Sequence, residues 1–132
     1  MSRPHFLLPA LKGPAAWGLR IEQSGVWLAT RAEIAGSSSA RRKGLLGHEG
    51  LPAGHALVIA PTQGVHTFGM RFPIDLAFLA PDGRVLSIRE NLRPNRLSRL
   101  IIKAEGVLEL PGNTLSSTGT QVGDVIQFAD AD

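Results

Sequence analysis

Glycine and proline punctuate this chain so densely that only short elements can form: 15 Gly and 9 Pro fall among 132 residues. That spacing favours strands joined by tight turns over long helices. The clearest unit is a hairpin, in which Ile74–Leu79 (IDLAFL) and Arg84–Arg89 (RVLSIR) flank Ala80-Pro81-Asp82-Gly83. Proline presets the first turn angle, and glycine accepts a positive φ at the end of the turn. Further strands are expected at Val26–Ala32, Ala56–Ala60, Val107–Leu110 and, after the Gly119 turn, Val122–Phe128. One short helix over Ala40–Leu46, capped by the serines before it and ended by Gly47, fits between them. Residues 1–25 read as an extended lead-in and residues 26–132 as one domain. The pattern predicts a mainly β fold, a compact β-sandwich or barrel-like single domain with one or two short helices.

Bulk properties narrow the class. A chain of 132 residues can bury a core without a staple, and 43% hydrophobic with 19% charged residues is a globular balance. Cysteine is absent, which excludes disulfides, thiol catalysis and cysteine metal sites. The net charge of +3 is modest. The sequence pI of about 10.2 exaggerates it, because without Tyr or Cys nothing titrates between His and Lys. No stretch approaches the ~20 apolar residues of a membrane span, and the apolar run near the N-terminus is broken by Pro9 and Lys12. The chain is therefore expected to work in the cytoplasm, without a membrane partner.

The informative residues are polar ones that strand logic does not explain. Asp75 lies in a strand apolar on both faces, and Glu109 shares a face with Val107 in another apolar strand. A carboxylate in such a place must be paired or richly hydrogen-bonded. The segment Val65–Pro73 adds His66, Thr67, Met70 and Arg71, with Gly69 and Pro73 shaping a turn. One reading is a pocket, in which His66 exchanges protons and Asp75 or Glu109 orients it or acts as a base. A purely structural reading has Asp75 or Glu109 paired with Arg71 or Arg41, and His66 bonded to a backbone carbonyl.

Other chemistries find less support. The four histidines (His5, His48, His55 and His66) form no His-x-x-x-His pair, so no metal site or cofactor is assigned, although His66, Asp75 and Glu109 could in principle converge on an ion. Arg89, Arg93, Arg96, Arg99 and Lys103 form a basic set, with Arg41-Arg42-Lys43 a second. Aromatics are only 5% of the chain, which leaves few stacking platforms, so a solvated loop is expected rather than a nucleic-acid surface. No phosphate loop, nucleophile elbow or dinucleotide fingerprint occurs.

Taken in order, Arg41-x-x-Gly44-Leu45-Leu46-Gly47, Val65–Asp75, Asp82-Gly83-Arg84-Val85, Pro94, Val107–Gly112 and Gly123-Asp124 resemble domain-of-unknown-function family 192 over about residues 26–128. The resemblance implies a compact β-sandwich or barrel-like domain and no established activity. Many relatives carry Trp-Met-Lys-Asn-Thr where this chain has Phe68-Gly69-Met70-Arg71-Phe72, while Met70, Pro73 and Asp75 still match. Some relatives are exported or membrane-anchored. The family's recurring polar positions correspond to Arg41, His66, Thr67, Asp75 and Glu109.

These readings converge on a small soluble binding module with a polar pocket formed by Arg41, His66, Thr67, Met70, Arg71, Asp75 and Glu109, holding a small polar ligand or a peptide. Two alternatives stand beside it. One is a hydrolase or lyase that uses His66 with a carboxylate. The other is an interaction protein whose polar cluster is structural and whose Asn91–Lys103 connection is a basic docking surface.

Overall fold

The computed structural model describes residues 4–7, 17–35 and 50–131. Along them run β1 (Trp17–Ile21), β2 (Trp27–Ala29), β3 (Arg31–Ala35), β4 (His55–Ile59), β5 (Ile74–Leu79), β6 (Val85–Leu92), β7 (Gly106–Pro111), a one-turn helix α1 (Thr114–Thr118) and β8 (Ile126–Asp130). The strands form a three-stranded sheet, β2-β1-β8, and a five-stranded sheet, β3-β4-β7-β5-β6. Neither closes into a barrel, so the mainly β sandwich-like reading is the one that holds. Every pair is antiparallel except β3 with β4.

The register fixes which side chains share a face. Across β5 and β7, Asp75 lies opposite Leu110, Leu76 opposite Glu109 and Phe78 opposite Val107. Successive residues of a strand point to opposite faces. One face of the large sheet therefore carries Ala77, Leu79, Leu108, Leu110 and Val58, which pack against Leu19, Leu28, Ile126 and Phe128 of the small sheet. The other carries Ile74, Leu76, Phe78, Val107, Leu57 and Ile59, covered by Val65, Met70, Phe72, Ile101 and Ala104 from two loops. β5 is buried along its whole length because it is sandwiched between these two layers.

Several expectations shift. Trp17–Ile21 was expected to belong to an extended lead-in. Instead β1 is the middle strand of the small sheet, with Leu19 and Ile21 buried. Its partners lie in β2 and β8, and its place in the fold is set by that long-range pairing. Phe6, also in the expected lead-in, is buried and donates its N–H to the Pro81 carbonyl at 2.9 Å. The single strand expected at Val26–Ala32 is two. Thr30 and Arg31 both donate to the Gly54 carbonyl, and the chain changes sheets there. β6 continues three residues past Arg89 to Leu92. β8 begins at Ile126, because Gln121 and Asp124 bond each other in a turn. α1 lies between two of the expected strands, in a stretch to which the sequence assigned no element. The helix expected over Ala40–Leu46, and Arg41 with it, lie outside the described residues.

Candidate functional site

Asp75 is fully buried, and both of its oxygens accept backbone N–H bonds. Oδ1 accepts from Asn91 at 2.8 Å, and Oδ2 accepts from Leu115 at 2.9 Å. Asn91 bends the end of β6 with φ 50°. Leu115 is in the first turn of α1, whose own N-cap, Asn113, is left-handed and makes no side-chain cap bond. Asp75 thus supplies from a distant strand the acceptor that a helix start needs. The bond partners are main-chain donors, not the arginine expected from residue types.

Glu109 is equally buried, but it lies between Leu57 and Leu76 in register, on the opposite face of the sheet from Asp75. The expected single cluster of His66, Asp75 and Glu109 is therefore divided by the sheet itself. Two carboxylates on opposite faces cannot share a ligand or a proton.

The Val65–Pro73 segment lies on the Glu109 face and is clasped to the loop after β6. Thr67 is the clasp. Its hydroxyl donates to the Arg93 carbonyl at 2.6 Å and accepts the Arg96 N–H at 2.9 Å, while its own N–H donates to the Arg96 carbonyl at 2.9 Å. The Thr67 carbonyl accepts from Met70 and Asn95, and Asn95 Oδ1 accepts the Gly69 N–H. With 0% exposure, Thr67 is a joint between the two loops. Met70 is buried with Val65 and Phe72 and serves packing. His66 is half-buried and bridges Leu97 across the two loops. Its Nδ1 accepts the Phe68 N–H at 3.3 Å, and its ring stacks on Phe68 at 5.1 Å. Arg71 is exposed.

The concavity of this face lies beside these residues, not among them. A groove of about 240 Å³ runs between the edge strand β6 and the loop that follows it. Arg89, Arg96 and Arg99 line it over an apolar floor of Phe78, Leu92 and Ile101. Among the described residues none of these arginines takes part in an ion pair; the pair present there is His5 with Glu105 at 3.3 Å. A second, shallower depression between β2 and α1 holds no charged side chain. Among the described residues no group of His, Asp and Glu is arranged to hold a metal ion, and no helix is long and apolar enough to cross a membrane. The basic residues were visible in the sequence as a set. Their convergence was not, because it depends on how the loop folds back over β6.

Fold and site together define a small two-sheet β domain with two hydrogen-bonded loops and an arginine-lined groove on one face. The chain belongs to domain-of-unknown-function family 192, described as an uncharacterized ACR, whose model matches residues 19–128. It is similar to a solved structure of a proposed transcription regulator from Sinorhizobium meliloti 1021, at 26% identity and TM-score 0.68, covering 90% of this chain and 98% of that one. It is also similar in fold to a protein of unknown function from Novosphingobium aromaticivorans DSM 12444, at 21% identity and TM-score 0.70, covering 84% of this chain and 82% of that one. No curated protein matches it.

Proposed function

We propose that this domain is a small binding module whose ligand is anionic and partly apolar, held in the groove beside β6. The observation that carries this reading is the meeting of Arg89, Arg96 and Arg99 over the apolar floor of Phe78, Leu92 and Ile101. Guanidinium groups hold carboxylate or phosphate oxygens in two-point contacts, and an apolar floor rewards a carbon chain or ring attached to them. Support also comes from the rigidity of the loop. The backbone of Arg96 is held by two hydrogen bonds with Thr67, so a ligand would meet a wall already in place.

The pocket expected around His66, Asp75 and Glu109 gains less support, because its carboxylates face opposite sides of the sheet. The same geometry weighs against a proton relay from His66 to Asp75. Of the readings drawn from the sequence, the basic surface at Asn91–Lys103 fares best, with Asp75 and Thr67 in structural roles. The Sinorhizobium protein's description as a transcription regulator makes a nucleic-acid phosphate one further source of the same negative charge.

The test is a thermal melt with octyl phosphate, octanol and a DNA duplex as separate additions. Octyl phosphate should raise the midpoint, since a ligand that binds only the native state stabilises it. Octanol should not. Arg89→Gln/Arg96→Gln/Arg99→Gln should abolish the shift while keeping the unliganded midpoint. A shift that survives in this variant, or no shift with wild type, would discard the reading.

A further inference from the structure

The loop that walls the groove also presents apolar side chains to water. Leu97, Leu100 and Ile102 are 70%, 73% and 80% exposed within six residues. Scattered exposed leucines are ordinary, but an apolar group this dense marks a contact surface. The exposure is not a fraying loop. Ser98 donates to the Val65 carbonyl and Ile101 to the Gln63 carbonyl, each at 2.9 Å, and Leu97 bridges His66. The backbone is pinned while these side chains point away from the core. Phe68, half exposed and stacked on His66, extends the patch.

The same stretch is the most cationic of the described chain. Arg89, Arg93, Arg96, Arg99 and Lys103 fall between residues 89 and 103, with Glu90 the only acid among them. This charge decides between possible occupants. A second copy docking through the same face would set these cations against their equals, which is costly. A protein partner is usually anchored by Trp or Tyr, and this patch contains neither, Phe68 being its one aromatic. Aliphatic tips interleaved with arginine and lysine suit a surface with an apolar interior beneath a layer of negative charge.

We propose that this face docks on an anionic lipid surface, with Leu97, Leu100 and Ile102 entering the acyl boundary and a headgroup phosphate resting in the arginine groove. The inference rests on the groove reading for the phosphate and goes beyond it in naming the surface that presents it. It also departs from the expectation of no membrane partner, which was drawn from the lack of a spanning segment. Resting on a bilayer needs no span.

Co-sedimentation of the full chain with vesicles tests it. The chain should pellet with vesicles of equal phosphatidylglycerol and phosphatidylcholine, and remain in solution with phosphatidylcholine alone. Leu100→Ser/Ile102→Ser removes two apolar tips that do not line the groove. It should weaken vesicle binding by about tenfold or more, as expected for the loss of two buried aliphatic side chains. Its thermal midpoint and its octyl phosphate shift should match wild type. Equal pelleting of variant and wild type, or of the two vesicle types, would overturn the proposal. Failure to pellet with either vesicle, with the octyl phosphate shift intact, overturns it and leaves the groove reading standing. Loss of both signals in wild type overturns both. If a DNA duplex captures wild type and variant alike while vesicles capture neither, the face belongs to nucleic acid and the lipid proposal fails.

Discussion

Asp75 and Leu115 are forty residues apart in the chain, yet Asp75 Oδ2 accepts the Leu115 N–H at 2.9 Å inside the protein. One carboxylate thereby ties β5 to the first turn of α1, and through Oδ1 to the bend at Asn91. Asp75→Asn keeps the shape but turns one acceptor into a donor facing an N–H. It should cost about 3 kcal/mol, the range for losing a charge-assisted bond and stranding a buried donor. Urea unfolding would measure this. The octyl phosphate shift of the folded variant should persist, because Asp75 faces away from the groove.

Thr67 joins the two loops that carry the groove. Thr67→Val preserves volume but strands the Arg93 carbonyl and the Arg96 N–H, and should cost about 1–3 kcal/mol. Hydrogen exchange at the Arg96 amide should accelerate, and octyl phosphate should bind more weakly as Arg96 loses its fixed position. Thr67→Ser keeps the hydroxyl and should restore most of both signals. Normal affinity in Thr67→Val would show that the clasp does not position the arginine.

Gly83 closes the β5–β6 hairpin with φ 91°, and its carbonyl accepts the Ile126 N–H at 2.9 Å. An added Cβ would collide with the Ile126 carbonyl and approach Phe6 Cβ at 3.2 Å. Gly83→Ala combines backbone strain with a backbone clash and should lose about 2–4 kcal/mol, more than the usual cost of alanine at a positive φ. A calorimetric melt should show the drop. A loss under about 1 kcal/mol would mean that β8 moves aside freely.

Leu19 lies at the centre of β1 with 0% exposure, opposite Phe128 in register. Leu19→Ala should cost about 3–4 kcal/mol, as for other leucines removed from packed cores. Were residues 1–25 a loosely attached lead-in, the same change would leave the urea midpoint almost unmoved.

The parts of this fold that were legible in the sequence are those set locally. The β5–β6 hairpin follows from the Pro81 and Gly83 turn between two strand-forming runs, and β7 from the Pro111-Gly112 stop. β1 was hidden because Gly18 and the nearby prolines imitate a loop, and its pairing is with residues far along the chain. The burial of Asp75 and Glu109 could be read from their apolar neighbours. Their separation could not, since it depends on a register in which Asp75 meets Leu110 rather than Glu109. The partners of Asp75 were invisible for a different reason. They are backbone amides, which every residue but proline possesses, so no residue type announces them. The arginines of the groove looked like a solvated loop until the Thr67 clasp brought them over β6.

The position of β6 at the border of the large sheet carries one more consequence. Beyond Val85, which bonds Gly123 and Asp124, its outer side pairs with no other strand among the described residues. An open border of this kind invites a neighbouring molecule to add its own strand and begin a growing polymer, unless charge forbids the approach. Arg89 and Glu90 stand there as sentries. A chain stripped of those charges would gain a tendency to assemble edge to edge.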